Sequence, residues 1–237
     1  DAVRVGGGAG ASAGGAGDDT IRGGEGADQL AGNSGNDLIY GDADADRIYL
    51  ETNWGSDTVF GGATATAGGL DFDVLDFSQD TQGGVQVTFT GAEAGTATQG
   101  SNSVSFDNIE GIYGTGFADT MSAAGTTSGV VIDGAGGNDN LVGGSGAEMR
   151  SGEAGADTRS GGEGNDTLSG GTGGNELFGE GGSDTFLFSH GDGSGMIFGG
   201  ESGSDVDVVQ LSGPGAQITW LDWGAASATY TGDSASM

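Results

Sequence analysis

The chain has 237 residues, of which 56 are glycine, with a single proline and no cysteine, so it carries no disulfide staple and no thiolate metal site. Its 35 acidic residues face only 5 basic ones, giving a net charge of -30. That balance argues against a nucleic-acid partner, which needs clustered Lys and Arg, and makes cations the natural counterpart. Residues 1–13 are a degenerate lead-in, where Val3 and Val5 suggest a first short strand. No apolar run in the chain approaches a membrane span, and no basic-then-apolar leader opens it at Asp1.

From Gly14 the glycine becomes periodic, which a flexible linker would not require. The pattern is Gly-Gly-x-Gly-x-Asp-x-apolar-x. It is clearest in Gly14 to Arg22 (GGAGDDTIR), Gly23 to Ala31 (GGEGADQLA), Gly32 to Tyr40 (GNSGNDLIY) and Gly161 to Ser169 (GGEGNDTLS). Turn chemistry fills the first six positions, and the last three alternate like a very short strand. The first array spans residues 14–78. Its sixth-position acids are Asp19, Asp28, Asp37, Asp46 and Asp57, with Ile21, Leu30, Ile39, Ile48 and Val59 at the eighth position; Asp73 and Leu75 hold these places in Gly68 to Ser78.

Residues 79–113 leave the frame, and Val85, Val87 and Phe89, then Val104 and Phe106, alternate as half-buried strands. The frame returns over 114–187, where the sixth positions are Asp119, Val130, Asp139, Glu148, Asp157, Asp166, Asn175 and Asp184. Arg150 and Arg159 stand at eighth positions, where an unpaired guanidinium would be very costly to bury. Those units are open at the core, locally shifted, or paired with carboxylates such as Glu148 and Glu153. In the last segment, 188–237, the run Asp207 to Ser212 (DVVQLS) echoes Asp73 to Ser78 (DVLDFS). Each run leads into an alternating stretch, Val85 to Phe89 and Gln217 to Leu221, so the chain reads as two copies of array plus strand segment.

The tandem copies resemble the calcium-binding nonapeptide repeats of secreted bacterial RTX proteins, the hemolysin-type calcium-binding repeats. The resemblance implies an all-β fold: a parallel β-roll, or solenoid, with two nonapeptide arrays separated and followed by longer strand segments. In that family two nonapeptides make one turn, so alternate units stack and a calcium ion lies between them. Asp19 then faces Asp37, Asp28 faces Asp46, Asp37 faces Asp57, Asp139 faces Asp157, Glu148 faces Asp166, and Asp166 faces Asp184. The candidate calcium ligands are Asp19, Asp28, Asp37, Asp46, Asp57, Asp73, Asp119, Asp139, Glu148, Asp157, Asp166 and Asp184. Carboxylate and glycine carbonyl oxygens are the hard ligands calcium prefers, whereas zinc and copper favour His and Cys, and magnesium resists full dehydration. Asp42-x-Asp44-x-Asp46 looks like the start of an EF-hand loop, but Arg47 and Asn53 stand where that loop needs Gly and Glu.

A roll of this kind buries little apolar surface per turn while ordering much glycine-rich backbone. Its stacked carboxylates repel by roughly 3 kcal/mol per pair at about 5 Å with an effective dielectric near 20. The chain is therefore expected to be unfolded at cytosolic calcium and to fold outside the cell. The resemblance favours export by a C-terminal signal beyond this segment.

Catalysis finds little footing. There is no HExxH, His190 is the only histidine, and Gly10 to Gly14 matches G-x-S-x-G only through composition. The ninth-position aromatics Tyr40, Tyr49 and Phe60 read first as shielding of the sheet. The second reading, to which Trp54, Trp220 and Trp223 add, is a docking stripe for a protein or glycan partner. The expected function is a secreted calcium-binding structural module, not an enzyme, serving an adhesin, a surface layer or a larger complex. The alternative is the export and folding domain of a secreted protease, lipase or epimerase.

Overall fold

The structure, a computed structural model, describes residues 1–62, 71–189, 191–193, 195–200, 205–212 and 229–231. His190, Trp220, Trp223 and the stretch Gln217 to Leu221 lie outside the described residues. All regular elements among the described residues are β-strands, and the chain divides into two compact units, Asp1–Gly116 and Phe117–Met237.

The first unit contains β1 (Ala2–Arg4), β2 (Ala11–Ala16), β3 (Thr20–Glu25), β4 (Gln29–Ser34), β5 (Leu38–Ala43), β6 (Arg47–Tyr49), β7 (Ser56–Gly62), β8 (Val74–Asp76), β9 (Gln86–Phe89), β10 (Gly95–Gln99), β11 (Asn102–Asp107) and β12 (Gly111–Tyr113). Strands β1-β3-β5-β7 pair side by side in one parallel sheet, and β2-β4-β6-β8-β12 form the facing one. Ile21 lies opposite Ile39 and Leu30 opposite Ile48, a step of 18 residues (39 − 21 and 48 − 30). Two nonapeptides therefore make one turn of a parallel β-solenoid, as the family resemblance implied.

The turn geometry explains the glycine pattern. In the unit beginning at Gly23, the second and fourth residues, Gly24 and Gly26, have φ of 116° and 98°, a region closed to most side chains. Where glycine is replaced at these positions the sequence supplies Asn33, Asp42 and Asp44, also at positive φ and among the residues that tolerate it best. The eighth position of each unit points inward. Ile21, Leu30, Ile39, Ile48, Val59 and Leu75 are all fully buried.

Between β8 and β12 the strands β9, β10 and β11 form antiparallel hairpins. Strand β10 pairs with both β9 and β11, after which β11 rejoins β7 in parallel, setting Phe106 opposite Val59. Strand β10 (GTATQ) was not evident from sequence because its inward residues, Gly95, Ala97 and Gln99, are small or polar.

Trp54 corrects one expectation. It is fully buried, its ring is 5.8 Å from that of Phe77, and its indole N–H donates to Asp80 Oδ2 at 3.2 Å. Trp54 is therefore a core residue and not part of a docking stripe.

The second unit repeats the plan with β13 (Thr120–Ser122), β14 (Val131–Asp133), β15 (Asn140–Val142), β16 (Met149–Ser151), β17 (Thr158–Glu163), β18 (Thr167–Ser169), β19 (Asn175–Gly181), β20 (Thr185–Ser189), β21 (Gly195–Phe198), β22 (Val208–Ser212) and β23 (Thr229–Thr231). The parallel orders are β13-β15-β17-β19-β21 and β14-β16-β18-β20-β22-β23. Its apolar core includes Leu168, Leu177, Phe186, Phe188, Ile197, Val209 and Leu211.

Candidate metal centre

The sixth-position carboxylates form files along the turns. Each backbone amide donates to the carboxylate one turn further on: Asp19 to Asp37 Oδ1 at 2.8 Å, Asp37 to Asp57 at 2.9 Å, Asp28 to Asp46 at 2.8 Å, and Asp46 to Asp73 at 2.7 Å. In the second unit the same bond joins Asp119 to Asp139, Asp139 to Asp157, Glu148 to Asp166, and Asp166 to Asp184, at 2.8–2.9 Å. All six facing pairs read from the repeat are thus adjacent, and all twelve candidate residues lie on these files. The files also extend to three residues outside that set. Asp73 N–H donates to Glu110, Asp157 N–H to Asn175, and Asp184 N–H to Asp207. Asp207 was legible in the DVVQLS echo of DVLDFS; Glu110, outside the repeat, carried no such signal.

For each aspartate after the first in a file, Oδ1 accepts the file's amide and Oδ2 points into the turn. Oδ2 of Asp19, Asp28, Asp37, Asp46, Asp57, Asp73, Asp139, Asp166, Asp184 and Asp207 is buried without a hydrogen-bond partner. Beside these atoms lies a pocket that only glycine leaves open. A Cβ on Gly161 would stand 2.5 Å from Gly179 O and 2.6 Å from Asp166 Oδ2, and on Gly23 it would stand 2.5 Å from Gly41 O and 2.7 Å from Asp28 Oδ2. An acceptor-only carboxylate facing a carbonyl has no donor to satisfy it, so the pocket suits a cation. Among the described residues no three acidic or histidine side chains converge on one point. A cation in such a turn would therefore draw much of its shell from backbone carbonyls, which calcium accepts.

Burial is the main force on these acids. It pushes Asp46, Asp57, Asp139 and Asp184 up to about 7 and Asp73 up to about 8. The file's amide pulls each back, while neighbouring carboxylates add to the rise. Asp37 and Asp207 are raised for the same first reason. Bound calcium would supply the positive charge that these inward oxygens lack and tie one turn to the next.

Two turns differ. Arg159 is fully buried and donates from Nη2 to Asp157 Oδ2 at 2.7 Å and to Gly170 O at 2.9 Å, while Nη1 donates to Ser169 O. Arg150, 1% exposed, donates from Nη1 to Ser160 O and Gly161 O, both at 3.1 Å. Its Nη2 lies 3.1 Å from Glu148 Oε2, an ion pair without hydrogen-bond alignment. Of the outcomes left open by sequence, pairing with a carboxylate is the one found, with Asp157 rather than Glu153 as the partner of Arg159.

The ninth-position aromatics lie on the outer faces. Tyr40 and Phe60 stack at 5.1 Å with ring planes 12° apart, and the Arg22 guanidinium lies 3.9 Å from the Tyr40 ring centre. Tyr49, on the other sheet, lies under Arg47. This packing fits shielding of the sheet.

Two sheets of short parallel strands, joined by glycine turns with inward carboxylates, define a parallel β-solenoid. Within them, residues 13–48 and 151–186 match the model of the RTX calcium-binding nonapeptide repeat, in four copies. Among solved structures, the extracellular lipase LipA from Serratia marcescens is similar at 21% identity, with a TM-score of 0.24. That match covers 92% of this chain, and the chain spans 37% of the lipase. No curated protein matches the chain.

Proposed function

We propose that the chain is a secreted calcium-binding structural module, serving an extracellular or surface assembly, whose turns close only around calcium. The observation that carries this reading is the set of buried inward oxygens without partners in the files of each unit, among them those of Asp19, Asp46, Asp139 and Asp184. In an ion-free fold each of these is a buried polar oxygen with nothing to satisfy it, which costs stability. An ion bound only by the folded state adds stability that grows with its free concentration. Extracellular calcium modules work at dissociation constants of roughly 0.1–1 mM, so such a chain stays open in a calcium-poor cytosol and folds after export.

The test is far-UV circular dichroism during a calcium titration from chelator to millimolar calcium, with bound calcium counted in parallel. The strand signal is expected to rise together with the number of bound ions. A chain equally folded in chelator, or folded with no ion bound, overturns the reading.

A further inference from the structure

The turns that begin at Gly14, Gly23, Gly41, Gly161 and Gly179 present the same two oxygens to their pockets: the sixth-position Oδ2 and the first-position glycine carbonyl of the unit one turn on. In the Gly161 to Ser169 turn these are Asp166 Oδ2 and Gly179 O, and Asp166 Oδ2 has no partner. In the Gly152 to Ser160 turn the equivalent oxygens are Asp157 Oδ2 and Gly170 O, and Arg159 Nη2 donates to both, at 2.7 and 2.9 Å. In the Gly143 to Ser151 turn they are Glu148 Oε2 and Gly161 O, and the Arg150 guanidinium touches both, Nη2 the carboxylate and Nη1 the carbonyl, each at 3.1 Å. A Cβ on Gly143 or on Gly152 would meet the guanidinium itself, in the space that the regular turns leave between their two oxygens.

We propose that Arg150 and Arg159 are built-in counter-ions: each guanidinium occupies the calcium position of its own turn, so these two turns bind no calcium. The inference rests on the calcium reading of the regular turns. A guanidinium is donor-only and permanently charged, which matches a pocket lined by acceptors. Each arginine grows from the eighth position, where every other unit of the arrays places an apolar side chain facing the core, so it reaches the pocket from inside the solenoid. Asp157 shows the result. With Oδ1 on the Asp139 amide and Oδ2 on Arg159, it does not join the carboxylates with a buried partnerless oxygen. These two turns thereby carry their own positive charge, next to regular turns that need the ion.

The test counts calcium bound per chain by native mass spectrometry and locates it by crystallography of the calcium-loaded protein. The wild type is expected to show cations in the Asp166 and Asp184 turns and none beside Glu148 or Asp157. Arg159→Leu restores an apolar eighth position and frees Asp157 Oδ2, so it is expected to bind one ion more than wild type. Leu168→Arg, the reverse change in the next unit, is expected to fold and to bind one ion fewer. If Arg159→Leu fails to fold, Leu168→Arg and the wild-type crystal decide. A cation found beside Asp157 with Arg159 in place overturns the inference while leaving the calcium reading intact. So does an unchanged count in the folded variants, or a Leu168→Arg chain that folds at no calcium concentration. A wild type that binds no calcium anywhere overturns both.

Discussion

The Asp166 amide donates to Oδ1 of Asp184 at 2.8 Å, and Oδ2 of both residues is left buried and unpartnered. One side chain therefore does two separable jobs. Oδ1 fixes the spacing of successive turns without needing a charge, and Oδ2 brings an anion to a place where only a cation can satisfy it.

Asparagine separates the two jobs, and the chain already contains the example: Asn175 Oδ1 accepts from the Asp157 amide at 3.0 Å. Asp184→Asn should keep the file bond to Asp166 while removing a charged ligand. A charge-assisted contact is worth roughly 1.5–3 kcal/mol, so the calcium midpoint of folding should rise by about tenfold or more. The same change should ease folding in chelator, because it removes a repelling charge. A calorimetric titration and a chelator melt check the two halves; an unchanged midpoint would assign Asp184 to the file alone.

Glycines at different repeat positions should fail in different ways. Gly161 takes no left-handed φ, but a methyl there would fill the pocket between Gly179 O and Asp166 Oδ2. Gly161→Ala is therefore expected to cost an ion. Gly15 has a φ of 107°, and a methyl placed on it would find no other atom within 4 Å, so Gly15→Ala should cost only about 1–2 kcal/mol of backbone strain and leave the ion count unchanged. Bound calcium and melting temperature, measured on both variants, distinguish these outcomes.

The solenoid was legible because its spacing is its structure. A Gly-rich turn followed by one inward apolar residue every nine positions marks the buried row from Ile21 to Val59, and the family resemblance supplied the eighteen-residue register. Three features were not legible, each because it depends on contacts across turns. Strand β10 pairs through its backbone and buries residues too small to mark a strand. Glu110 joins a file from outside the repeat, through the Asp73 amide. Trp54 stands among turn residues in the sequence, and its inward place depends on Phe77 and Asp80 from a later stretch of chain.

Trp54 should accordingly behave as a core residue. Trp54→Ala is expected to destabilise the calcium-loaded first unit by about 3–5 kcal/mol, the range for emptying a buried aromatic site. The measurement is thermal unfolding in saturating calcium. A change below about 0.5 kcal/mol, typical of a surface site, would return Trp54 to the outside of the sheet.

Protons and calcium should compete for the same oxygens. Asp46, Asp57, Asp139 and Asp184 have their carboxyls raised from 3.8 to about 7 by burial, and Asp73 to about 8. Between those limits the ion-free fold binds more protons than the unfolded chain, so its stability falls as pH rises through the window. In chelator the chain should therefore hold more strand structure near pH 4 to 5 than near pH 8. With calcium present the dependence inverts, because binding must expel those protons: affinity should strengthen as pH rises from about 5 to 8, with proton release on binding. Circular dichroism against pH in chelator, and calcium titrations in buffers of different ionisation enthalpy, read the two effects. Strand content in chelator that does not change across the window, or calcium binding without proton release at pH 6, would show that these carboxylates are already ionised in the ion-free fold.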